Sequence, residues 1–299
     1  MNIPESVYKI RELQHQWRDE RDANGRIDYF KEGLEASLDL PYRDDGDPRH
    51  TLDVYSPVGS GVLPVVIEIH GGGYVACEKE INRIHTRWLA LQGFKGVNGD
   101  YTLHPEGSFR MNMQEIADIV RWVEEHAEEY GFDLEHVYMT GDSAGGFLVL
   151  LYAMIQGSEE IRAHFGTQLP ATRMKAVAPT APGIRIGYDP EADYAPEDLP
   201  AMMFPEGIDT EELRWLDIPE LMKISEYPPL FVSTTPNDAL LYKEALELHW
   251  HLEARGRDYG FRSYEARKNK LEHVFNVLYP EYEESVDANS DMLAFFRRY

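Results

Sequence analysis

Ser143 stands between Gly141 and Gly145 in the stretch VYMTGDSAGGFLVLL at 137–151. The residues before it read as a strand, and those after it read as a buried helix. A serine in a turn is ordinary turn chemistry. The spacing Gly-x-Ser-x-Gly also describes a nucleophile elbow, a sharp strand-to-helix turn that holds a serine oxygen above a sheet. Upstream, HGGGY at 70–74 directly follows the apolar run PVVIEI at 64–69. Three successive glycines are entropically costly in a folded loop. They mark either a tight turn or a loop whose bare N–H groups face the negative oxygen of a tetrahedral intermediate. On the second reading Ala144, the residue after the serine, supplies another such donor, and His70 holds the loop.

An activated serine needs a base, and the base needs a group that orients it. Where a nucleophile elbow is used, the chain order is Ser, then Asp or Glu, then His. His15, His50, His70, His85, His104, His126 and His136 all precede Ser143. His164 comes before the late strands. His249 and His251 sit two apart in a helical stretch and point about 200° away from each other, which makes a shared metal site unsuitable. His273, in LEHVF at 271–275, lies between a late strand and the last helix, where a loop can bring it to the sheet edge. Asp238, in TTPNDALL at 234–241, follows an apolar strand, and catalytic groups of parallel sheets gather beyond the strands' carboxyl ends. Its competing reading is a helix N-cap. Asp258 reads as a turn residue, and Asp209 falls in an insertion.

These residues need a scaffold. TLDVYS at 51–56 alternates as a strand does, and 64–70 is apolar enough to be covered on both faces. A run near 95–102 is weaker because Gly96 and Gly99 interrupt it. Ile116, Ile119, Val120 and Val123 mark a helix. Strands are expected at 136–140, 174–179, 229–235 and 261–265, with helices after Ser143, over 241–255 and from Glu281. Such alternation implies βαβ units and a mainly parallel sheet, hence an α/β fold. Val7, Ile10, Leu13 and Trp17 give the N-terminal segment one narrow apolar face. Residues from about 184 to 227 break the alternation. Their Tyr188, Tyr194, Met202, Met203, Phe204, Trp215 and Leu216 point to a packed cap rather than a loose loop.

The 299 residues suffice for a large core, and 43% hydrophobic with 12% aromatic content describes a globular chain. Fifty-three acidic against 29 basic residues give a net charge of −24. That surface repels phosphate backbones and anionic headgroups, so neither nucleic acid nor membrane is an expected partner. The lone Cys77 excludes an internal disulfide, and no histidine motif frames it as a nucleophile. No run approaches the ~20 apolar residues of a membrane span, and the N-terminus lacks an apolar signal core. A soluble, cytoplasmic protein is expected.

Taken together these segments resemble the hormone-sensitive-lipase-like family of α/β-hydrolases. The resemblance rests on HGGGY at 70–74, DYTLHPE at 100–106, GFDLEHV at 131–137, GDSAGG at 141–146, Asp238-Ala-Leu and His273-Val-Phe, in that order. Thr102 and His104 stand where the family has Arg and Ala, and Ala239 where it often has Pro. The resemblance implies one α/β-hydrolase domain over 1–299, capped by about 1–40 and about 184–226. It implies hydrolysis of carboxylic esters without metal or organic cofactor, and it admits a homodimer. Ser143 is then the nucleophile, His273 the general acid–base and Asp238 its partner, with the amides of Gly72, Gly73 and Ala144 as the oxyanion hole. Tyr74, Phe204 and Trp215 are candidates for the substrate pocket, which on this reading takes small to medium acyl esters. The same machinery could cleave a small amide or formamide, and the fold also serves non-catalytic small-molecule receptors that have lost the histidine.

Overall fold

The computed structural model describes residues 3–187, 191, 195 and 197–299; Tyr188 and Tyr194 lie outside them. Among the described residues eight strands form one sheet. They are β1 (Leu34–Pro41), β2 (Thr51–Pro57), β3 (Leu63–Ile69), β4 (Lys95–Gly99), β5 (Phe132–Asp142), β6 (Ala176–Thr180), β7 (Leu230–Thr234) and β8 (Tyr259–Ser263). Their order is β1-β2-β4-β3-β5-β6-β7-β8. β2 runs antiparallel to both neighbours, and every other pairing is parallel. This is the α/β-hydrolase fold.

The strands sort their side chains by parity, as a pleated sheet must. Val65, Ile67, Ile69, Val137, Met139, Val177, Leu230 and Val232 face a core built with the helices Phe109–Glu125, Ala144–Gly157 and Tyr242–Arg255. Val66, Tyr138, Ala176, Ala178 and Phe231 face the other way, onto the helices Arg83–Leu91 and Glu283–Phe296. The glycines that weaken β4 in sequence have a packing reason. A Cβ on Gly96 would lie 2.7 Å from Thr86 of one flanking helix, and one on Gly99 would lie 2.6 Å from Ile119 of another. β4 is therefore fully buried between helices that press on bare backbone from both faces.

Two expectations need correction. The cap expected over about 1–40 stops short of that, because Leu34–Pro41 is β1, the edge strand. Its pairing with β2 slips between Ser37 and Leu40, and Asp39 there has φ +55°, so a bulge erases the period-two signal. The helix Arg83–Leu91 was not expected, and its polar residues His85, Thr86 and Arg87 are buried along with Ile84, Trp88, Leu89 and Ala90. The N-terminal helix Glu5–Ala23 is present, but its packed seam runs through Val7, Ile10, Gln14, Trp17 and Arg21. Leu13 is 63% exposed. Polar residues on that seam find specific partners: the Cys77 thiol donates to Gln14 Oε1 (2.8 Å), and Arg21 Nη1 donates to the Ile81 carbonyl (2.9 Å).

Candidate active site

Parallel strands β3, β5, β7 and β8 end on one edge of the sheet, and the loops after them carry the residues singled out in sequence. Ser143 follows the last residue of β5 and precedes the helix Ala144–Gly157 with φ 53° and ψ −116°. A non-glycine residue held there is strained by about 1–3 kcal/mol. The fold pins it: the Ser143 N–H donates to the Thr180 carbonyl (3.0 Å), and the Ser143 carbonyl accepts from the Phe147 N–H (3.0 Å). The flanking glycines are sterically required. A Cβ on Gly145 would overlap the carbonyl oxygens of Ile69 and His70, and one on Gly141 would lie 2.6 Å from the Gly145 oxygen.

His273 sits in the loop between β8 and the helix Glu283–Phe296, and its Nδ1 is 2.8 Å from Asp238 Oδ2. Asp238 is buried, and its other oxygen, Oδ1, accepts from the N–H groups of Leu240 (2.9 Å) and Leu241 (3.0 Å). Asp238 is thus not the N-cap of the helix Tyr242–Arg255, which begins after Leu241 with no side-chain cap bond; one of its oxygens closes a turn and the other meets the imidazole. Burial opposes its ionisation. The bond to His273 and the two amides outweigh burial and hold its pKa below the usual carboxylate value. With this geometry the imidazole carries its proton on Nδ1 and leaves Nε2 free to accept.

The glycine loop is shaped by backbone that only glycine tolerates easily. Gly72 has φ +110° and Gly73 φ +60°, and a Cβ on Gly72 would overlap the Ala76 carbonyl. Among the described residues, the N–H groups of Gly72, Gly73 and Ala144 make no hydrogen bond within the protein. Gly71 N–H is committed, to Asp142 Oδ1 (3.0 Å). His70 holds the loop from behind. Its ring nitrogens lie 2.7 Å from the Gly71 carbonyl and 2.8 Å from Asp100, and it stacks on Tyr101. Asp142 also accepts from Asn82 (2.7 Å), which donates in turn to Glu68 (3.1 Å), itself bound by His85 (2.6 Å) and Thr86 (2.5 Å). His70 is thus where the sequence reading put it, holding the loop; Asp142, Asp100, Asn82 and Glu68 were not named from sequence, although Asp142 and Asp100 lie inside the motifs GDSAGG and DYTLHPE.

Two cavities meet at Ser143. The larger, about 680 Å³, is lined by Gly71, Gly72, Gly73, Ser143 and His273 together with Ile10, Trp17, Met202 and Leu278. The smaller, about 220 Å³, is lined by Tyr74, Ala144, Gly183, Arg185, Met203 and Glu244, among others. Tyr74 thus lies at the site. Phe204 lines a separate cavity with His104 and Phe109, and Trp215 stacks on His164 at 4.1 Å, so neither lines the space around Ser143. Cys77 lines the larger cavity, but burial pushes its thiol pKa up, which suits a packed thiol rather than a nucleophile. Among the described residues no group of three His, Cys, Asp or Glu side chains is placed to hold a metal ion, and no helix is long and apolar enough to cross a membrane.

The BD-FAE family model matches residues 52–181, from β2 through the elbow to the end of β6. The crystal structure of esterase B from Lactobacillus rhamnosis superposes with a TM-score of 0.87 at 30% identity, covering 98% of this chain and 94% of that one. Hormone-sensitive lipase of Bos taurus is 25% identical over 172 residues, 56% of this chain and 21% of its own length. An acetyl esterase of Salmonella typhi is 28% identical over 128 residues, 42% of this chain and 38% of its own. The chain thus spans well under half the length of these two curated relatives. It belongs to the hormone-sensitive-lipase-like esterase family of α/β-hydrolases.

Proposed function

We propose that this chain is a serine carboxylesterase acting on small to medium acyl esters, with Ser143, His273 and Asp238 as its triad. The observation that carries the reading is the strained Ser143 in one cavity with His273, whose far nitrogen is held by a buried Asp238. Ser143 Oγ attacks the ester carbonyl carbon while His273 Nε2 takes its proton. Asp238 keeps the imidazole in the productive tautomer and stabilises the imidazolium. The carbonyl oxygen, now negative, receives the N–H groups of Gly72, Gly73 and Ala144, each worth ~3–4 kcal/mol of barrier when well aimed. The C–O bond to the alcohol breaks as His273 returns its proton to the departing oxygen. Water, deprotonated by the same imidazole, then releases the acid and restores Ser143.

The helix Glu5–Ala23 and the short helices Leu199–Met203, Thr210–Leu213 and Ile218–Leu221 serve on this reading as the cap over a single hydrolase domain. The esterase B relative has also been solved with a C4-C4 tributyrin phosphonate inhibitor, which supports a short-chain ester as the first substrate to try. The test is hydrolysis of ethyl and glyceryl butyrates by wild type and Ser143→Ala. Turnover should fall by at least about 10³-fold in the variant while the fold persists by circular dichroism. Near-normal hydrolysis by a folded Ser143→Ala protein would end the assignment.

A further inference from the structure

The two cavities at Ser143 differ in chemistry, and His273 lines only the larger. A departing alkoxide must collect its proton from that imidazole. On the proposed mechanism, on which this inference rests, the alcohol part of the ester therefore lies in the larger cavity. The acyl part lies in the smaller one, on the Ala144 side.

The smaller cavity has apolar walls in Ile186, Leu199, Pro200, Met203 and Leu241, but Tyr74 and Glu244 also line it. Tyr74 is 5% exposed, with its ring set edge-on to Phe109 (5.3 Å) and Phe147 (5.8 Å). Its Oη makes no hydrogen bond among the described residues, and the residue lines the cavity. Glu244 joins the same lining, with Oε2 accepting from the Ile184 N–H (2.7 Å). Burial raises its pKa above that of a surface carboxyl. Between the two lies Gly183. A Cβ placed there would stand 3.7 Å from Tyr74 Oη and 3.8 Å from Glu244 Oε2, with no other atom within 4 Å. Two oxygens thus face one point that no side chain fills.

We infer that this cavity is an acyl subsite for short acyl groups bearing a hydroxyl, which sits in the notch beside Gly183. The hydroxyl donates to Glu244 and accepts from Tyr74. A plain hydrocarbon acyl chain gives the Tyr74 hydroxyl no partner and leaves Glu244 with its backbone amide alone, and a site built to hydrogen-bond a hydroxyl discriminates strongly against the analogue lacking it.

The test compares kcat/KM for methyl 3-hydroxybutyrate against methyl butyrate, and methyl lactate against methyl propionate. Wild type should prefer at least one hydroxyacyl ester over its parent by about tenfold or more. Tyr74→Phe and Gly183→Ala should each bring that ratio close to one, chiefly by raising KM for the hydroxyacyl ester. Equal losses on both members of a pair would mark Tyr74 as a packing residue and overturn the subsite. So would hydrolysis of the parent esters with no hydroxyacyl preference in wild type, the outcome if the notch holds only water. Failure to hydrolyse any ester would overturn the esterase reading itself, and the subsite with it.

Discussion

Asp238 illustrates how one side chain meets two demands with its two oxygens. Its Oδ1 closes the turn at Leu240 and Leu241 while Oδ2 meets His273. Asparagine can keep the first bond but cannot hold the imidazole tautomer. Asp238→Asn should therefore lower kcat by about 10³–10⁴-fold with little change in stability, whereas Asp238→Ala should also lose about 1 kcal/mol of stability with the turn bonds to Leu240 and Leu241. Steady-state kinetics beside urea melts separate the two effects. His104 makes a different kind of prediction. Burial lowers its pKa from 6.5 to about 4, and its Nε2 lies 3.2 Å from Asn112. The folded protein thus keeps it neutral while the unfolded chain protonates it. Its contribution to stability is full above pH 6.5 and is lost as pH falls from there through about 4. The total is on the order of 3 kcal/mol. His104→Gln should lose correspondingly less stability than wild type between pH 7 and pH 4.5, measured by denaturant titration at each pH. Equal losses would refute that account of His104.

Among the elements, the N-terminal helix is the one whose role is least visible from its own sequence. Arg11 ties it down, donating from Nε to the Val75 carbonyl (2.8 Å) and from Nη2 to the His104 carbonyl (3.0 Å), and pairing with Glu106. Ile10, Gln14 and Trp17 of the same helix wall the larger cavity. Arg11→Ala should loosen that wall, raising KM for esters of apolar alcohols about tenfold, or ~1.4 kcal/mol of binding. Hydrogen exchange over residues 5–23 should speed up at the same time. Unchanged exchange there would show that the helix is held by its apolar seam alone. What could be read of the elements followed from pattern strength. Buried parallel strands such as β3, β5 and β7 announce themselves as apolar runs between turn signals, and HGGG and GDSAGG fixed the loops that matter. β1 was hidden by its bulge and its exposure. The helix Arg83–Leu91 is short, only nine residues, and buries its polar residues His85, Thr86 and Arg87 rather than showing them to solvent. Trp215 and Phe204 show the limit for pockets. Aromatic composition marks a packed cap, but which ring faces Ser143 is decided by tertiary contacts such as the stack on His164.

At the scale of the whole molecule, the sheet brings together residues 130 positions apart, Ser143 and His273, by ending β5 and β8 on the same edge. The strain at Ser143 persists because β5, β6 and the helix Ala144–Gly157 hold its backbone, at Thr180 and Phe147, while β3 presses on Gly145. The net charge of −24 makes the surface as a whole repel anions. The central claim is that Ser143 is a nucleophile activated through His273. Intact-mass analysis after exposure to a fluorophosphonate tests it without any guess about the ester. Wild type should gain one adduct, mapped to the peptide containing Ser143, with no adduct on Ser143→Ala and labelling slowed by orders of magnitude in His273→Ala. A folded wild-type protein that stays unlabelled, or an adduct that persists in Ser143→Ala, would contradict the account.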